Sequence, residues 1–208
     1  MLKKVSKSFI SLAVTVFLLA SLTAFTSAQE QPINTISYNC DAVVKLFGAP
    51  IENRNFDIQV AVFGDAPDEV DAGDVISVEN SYAKVTVPSS VVLDLDNILG
   101  WNNISGSVNK FEIISDNVQQ VINVAPQSIA KTPIPKDGSD FEFRVPATSE
   151  LIVGPFTAGN SGVINVSAGD IEAVFQNGDG LGIFTLEADC QPSGNPIIKT
   201  VTINSNEN

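Results

Sequence analysis

Phe56-Asp57-Ile58-Gln59-Val60-Ala61-Val62 alternates its large apolar side chains with polar or small ones. Successive strand residues point to opposite faces, so this run predicts a strand with one buried and one wet face. Working outward, the pattern recurs in Ala83-Lys84-Val85-Thr86-Val87 and in Phe141-Glu142-Phe143-Arg144-Val145. It continues through Val163–Val166, Ile171–Phe175, Ile183–Ala188 and Ile198–Ile203. Gly, Pro, Asn and Asp separate the runs, and β-branched and aromatic residues fill their apolar positions. Short strands without helices between them predict an all-β chain, read here as an Ig-like antiparallel β-sandwich.

One stretch departs from period two. Ser89-Ser90-Val91-Val92-Leu93-Asp94-Leu95-Asp96-Asn97-Ile98-Leu99-Gly100 puts Val92, Leu95, Ile98 and Leu99 on one helical face. Ser89 or Ser90 is the expected cap and Gly100 the stop, which predicts one short helix over residues 89–99. Trp101 follows immediately, either as a plug over the core or as a possible binding surface.

Composition narrows the function. The chain has 208 residues, with 24 acidic against 11 basic side chains and no histidine. Without imidazole there is no Ser-His-Asp triad, no Cys-His dyad and no histidine metal site. Lys3, Lys4 and Lys7 precede the apolar stretch Phe9–Leu22 and the small residues Thr26-Ser27-Ala28, the three zones of a secretory signal peptide over residues 1–28. The remaining chain, residues 29–208, is expected to form a single exported domain. It keeps eight basic residues against 24 acidic ones, a formal charge of −16. That charge disfavours nucleic acid, whose phosphates need clustered Lys or Arg, and docking on an anionic membrane.

Export gives the two cysteines a meaning. In an oxidising compartment Cys40 and Cys190 are expected to join and close most of the domain into one loop, with two buried free thiols as the alternative. Two cysteines without histidine cannot complete a zinc site, and no cofactor is expected.

The densest carboxylate cluster is Asp65-Ala66-Pro67-Asp68-Glu69-Val70-Asp71-Ala72-Gly73-Asp74. Asp65, Asp68, Asp71 and Asp74 offer the hard oxygens that calcium prefers, yet their spacing lacks the EF-hand rhythm. A solvated turn between strands is the preferred reading. Glu142, Glu172 and Glu187 are the acids to weigh for glycosidase chemistry. Each alternates with apolar neighbours and should face water, so no catalytic residue is assigned and the chain is not expected to be an enzyme.

The order of several landmarks resembles an uncharacterised family of secreted Gram-positive β-sandwich domains with two cysteines. The matching residues are Tyr38-Asn39-Cys40, then Phe47-Gly48-Ala49-Pro50, then the turn Pro67, Val70, Gly73. Lys131-Thr132-Pro133-Ile134-Pro135, Pro155–Gly159, Gly178-Asp179-Gly180 and Cys190 complete the series. The resemblance implies fold, disulfide and export, and no activity. The expected role is therefore a secreted, non-catalytic module for matrix, adhesion or binding of an extracellular or cell-wall ligand, as a monomer or small oligomer. The alternatives are a subunit that donates a strand, with Gln29–Ile36 as the donor, and a carboxylate hydrolase of extracellular polymer.

Overall fold

The computed structural model describes residues 30–116, 120–179 and 183–205. The expected signal peptide, residues 1–28, lies outside them. The chain runs through β1 (Asn34–Leu46), β2 (Ala49–Asp65), β3 (Glu69–Asp71) and β4 (Val75–Val87) to the helix α1 (Ser89–Leu99). Then come β5 (Asn103–Ser115), β6 (Gln120–Asn123), β7 (Gln127–Pro133) and β8 (Phe141–Val145). β9 (Leu151–Thr157), β10 (Gly162–Asn177), β11 (Phe184–Ser193) and β12 (Ile197–Asn204) complete it. The fold is β-sheet with one short helix, as expected, in a generic sandwich-like arrangement.

The strands follow the order β3-β12-β10-β11-β1-β2-β4-β8, with β5 also on β10, β6 and β7 on β5, and β9 on β4. One ladder breaks the expected antiparallel rule. β3 pairs parallel with β12, Val70 opposite Ile203, because the chain reaches that edge from the wrong direction for a hairpin.

Two long strands change partners midway, and this gives the molecule its depth. β10 pairs with β12 up to Ser167 and with β11 from Ile171, with an irregularity between Ala168 and Ile171. β4 pairs with β9 through Ser81 and with β8 from Ala83, near Asn80 at φ 51°. Bulges of this kind bend a strand and redirect its pairing. The circuit β7-β5-β10-β11-β1-β2-β4-β8 nearly closes, with β7 lying beside β8.

β1 shows how the alternating pattern becomes packing. Ile36, Tyr38, Cys40, Ala42 and Val44 are all buried, and between them Ser37, Asn39 and Asp41 are exposed and Val43 is half-buried. β5 was not legible as a strand, because Gly106 and Ser107 interrupt its apolar series. Gly106 has a packing reason: a Cβ there would stand 2.0 Å from the Val174 carbonyl oxygen, so only glycine lets β5 approach β10 this closely.

The helix forms where expected, but its first turn is capped differently. The Pro88 carbonyl accepts the Val92 amide at 3.2 Å, and the Ser89 amide donates to the Asp140 carboxylate at 2.8 Å. A distant aspartate thus satisfies one of the amides at the start of the helix. Val92 and Leu95 are buried, and Gly100 ends the helix at φ 64°. The side chain of Ile98, expected on the same face, lies outside what is described.

Candidate functional site

Cys40 and Cys190 stand directly opposite one another on β1 and β11 and are joined. Both are buried, and no cysteine among the described residues is free. Beside them Tyr38 is fully buried and donates its hydroxyl to the Gly169 carbonyl at 3.1 Å. Burial, with the Asp170 charge adding to it, pushes the Tyr38 phenol far above its ordinary value. This residue therefore stays neutral and structural.

Three of the four candidate calcium ligands, Asp65, Asp68 and Asp74, go to separate partners. Asp65 accepts from the Asn80 amide at 2.6 Å. Asp68 pairs with Lys199, whose hydrogen bond and charge hold its carboxyl below the ordinary range. Asp74 folds back on the Asp71 amide at 3.2 Å, a turn closed by Gly73 at φ 87°. Among the described residues no group of three or more His, Cys, Asp or Glu is placed to hold a metal ion. The segment is an edge strand followed by a tight turn, with Val70 packed against the core.

Glu142, Glu172 and Glu187 lie on three different strands and each faces a lysine. Glu142 pairs with Lys84 and Glu187 with Lys45, each at 2.5 Å, and Glu172 stands 3.8 Å from Lys110. A row of carboxylates crosses the outer face, since Asp41 opposes Asp189 and Asp189 opposes Glu172. Like charges placed directly opposite destabilise a sheet. Asn55, which donates to Asp41, and Lys110 at the other end relieve this row.

Trp101 does not offer a binding surface. It is 1% exposed, and its carbonyl accepts from the Lys136 ammonium at 3.3 Å. The stop of α1 at Gly100 turns the indole inward, so it fills the core instead of presenting a platform.

Two features escaped the sequence reading. Phe63 and Tyr82 stack with ring centroids 4.6 Å apart, and the Arg144 guanidinium lies 4.0 Å over the Tyr82 ring. Burial, then a hydrogen bond to Glu30, pushes the Tyr82 phenol up to about 12. The second is the β1–β2 hairpin tip, where Phe47 is 79% exposed at φ 49° and Gly48 takes φ 81°. The Phe47 amide donates to the Ile183 carbonyl at 2.9 Å, and a bulge beside Lys45 leaves Ile51 unpaired and 53% exposed. The quoted Phe47-Gly48 pair signals the turn but not that its apolar residue points to solvent.

Behind the sheets lies the third element of the site, an apolar interior. One cavity of about 60 Å³ is walled by β2, β4, β5, β8, β10, β11 and α1. A second, of about 50 Å³, continues toward β9 and β12.

No curated protein matches the chain. A solved structure from Corynebacterium diphtheriae, of a protein described as membrane anchored, is similar at 13% identity with a TM-score of 0.47. The similarity covers 84% of this chain but only 38% of that one, so the chain spans well under two thirds of that protein's length. The stronger match is to a family profile, which covers residues 37–196 and takes in both cysteines, the acidic edge and the helix. The chain belongs to this family, the Family of unknown function (DUF6801).

Proposed function

We propose that the protein is a secreted, non-catalytic module that works at or beyond the cell surface, on an Ig-like variant of the β-sandwich. The observation that carries this reading is the Cys40–Cys190 bond in the middle of the sheet. Bonds of this kind persist in oxidising compartments and are rare in the cytosol. The N-terminal signal pattern agrees with it, and so does the membrane-anchored description of the Corynebacterium diphtheriae protein as a hint of location. The dispersal of Glu142, Glu172 and Glu187, each beside its own lysine, favours this reading over a glycosidase that pairs any two of them.

The module acts as a monomer or small oligomer. β1 is paired on both sides, to β2 and to β11, and the Ile33 amide already donates to the Val62 carbonyl. A strand so placed is not free for a neighbour. Its ligand is an extracellular or cell-wall component met first by the exposed tip around Phe47. Cell fractionation with an epitope tag, together with a binding screen on cell-wall and matrix preparations, tests the reading. Retention in the cytosol would overturn it. So would turnover of a polysaccharide that disappears in Glu172→Gln.

A further inference from the structure

The two interior cavities adjoin. Ala83, Val108, Phe111 and Val145 line both, so the two share a wall. The wall of the first cavity carries no polar side chain, and its half-cystine Cys190 is committed to the disulfide. It is also thin in places, because Ala83, Ala173 and Ala188 stand where strand interiors usually hold Val, Ile or Leu. A third void, of about 90 Å³, lies between α1 and the ends of β1, β2 and β11. Phe56, Val91, Leu95 and Leu186 line both this void and the first cavity, so α1 stands as a plug at the end of one apolar axis.

The rim above the plug is polar: Glu52, Arg54, Asn55 and Asp94 surround it, with Arg54 as its cation. Arg54 spans Glu52 at 2.8 Å and Asp94 of the helix at 3.5 Å, an exposed pair that ties α1 to β2 weakly.

We propose that this axis takes up one unbranched aliphatic chain, entering beneath α1 and leaving a polar end at the Arg54 rim. The wall chemistry of the first cavity selects the ligand, since a lining without side-chain donors or acceptors gives a polar molecule nothing to replace its water. The second is apolar apart from Ser81, Tyr82, Gln127 and Lys199. The series selects its shape, because the first cavity shares walls with both the second and the void under α1, and a compact molecule would fill one and leave the others empty. As closed, each cavity has room for about two water-sized groups. Uptake therefore requires α1 to lift and the walls to spread. The side beside β7 and β8 can spread most readily, because those strands are neighbours but share no ladder. This inference does not depend on where the protein works.

The test is titration of the purified full chain with cis-parinaric acid, read by its fluorescence. The expected result is a saturable rise at one equivalent, displaced by palmitate. Ala173→Leu and Ala188→Val fill the first cavity and are expected to weaken binding at least tenfold while circular dichroism stays unchanged. Two variants are used so that a folding failure in one leaves the other informative. The proposal is overturned if no rise is seen, or if palmitate fails to displace the probe. It is equally overturned if both filled variants bind as the parent does, which would place the probe on the surface and make the cavities packing voids.

Discussion

β1 and β3 are both strands of the same sheet, yet they are held in opposite ways. β1 has thirteen residues, a neighbour on each side, five buried side chains in alternation and a covalent bond to β11. β3 has three residues, one parallel neighbour and carboxylates on both sides of Val70. The first is fixed by burial and the second by the backbone of the chain's far end. The difference teaches that the densest run of charge in this sequence, residues 65–74, marks an edge of the sheet. Charged side chains on a short edge strand keep that edge from pairing with other molecules.

The comparison is most easily broken at the disulfide. Cys40→Ala is expected to lower stability by about 2–5 kcal/mol, measured by denaturant unfolding, because the bond spans 150 residues of sequence. An unchanged midpoint would mean that β1 is held by packing alone. Next in size is Tyr38→Phe, which removes the hydroxyl donated to Gly169 and leaves that carbonyl buried without it. A loss of about 1 kcal/mol is expected, with no change in oligomeric state.

At the edge the effects should be much smaller. Lys199→Gln breaks the pair with Asp68, which is open to solvent, and the melting temperature is expected to move little beyond experimental scatter. A large drop would promote β3 from a cover to a support. Acid sharpens the same point. The Lys199 and Lys131 hydrogen bonds hold Asp68 and Asp179 below the ordinary 3.8, so the native state binds these protons less readily than the unfolded chain. Their contribution is fully present above that value and is lost as the pH falls through the depressed native values. A melting series from neutral pH to strong acid should be flat until about pH 4 and then decline slightly more in the parent than in Lys199→Gln. The smallest expected effect is that of calcium. Saturating calcium should leave the melting temperature unchanged, and a shift of several degrees that vanishes in Asp71→Asn would restore the segment as a metal site.

Much of β2 was legible because a period of two needs no knowledge of partners. Ile58 and Val60 announce a face wherever their neighbours come from. β3 was not legible, since Glu69-Val70-Asp71 is too short to show a period and its register is set by Ile203, far along the chain. The partner changes of β10 and β4 were hidden for the same reason. Gly169 and Asn80 mark them, but a glycine or asparagine within a strand says that the backbone turns, not which strand it turns toward. The apolar interior follows from those changes, so alternation could name its lining residues without placing them around one axis. Trp101 shows the reverse limit: its position after a predicted helix was clear, and only the direction of the turn at Gly100 decided that it points inward.

The bond between Cys40 and Cys190 also decides what happens when the chain is pulled from its two ends. Tension entering at β1 would cross to β11 through sulfur and leave again through β12, so everything from β2 to β10 carries no load. The 150-residue span it shields would otherwise pay out roughly 500 Å of slack. Under such tension the clasp would act as a short, stiff link of fixed length. Stretching single molecules before and after reduction measures this directly, and an equal extension in both states would show that the link bears nothing.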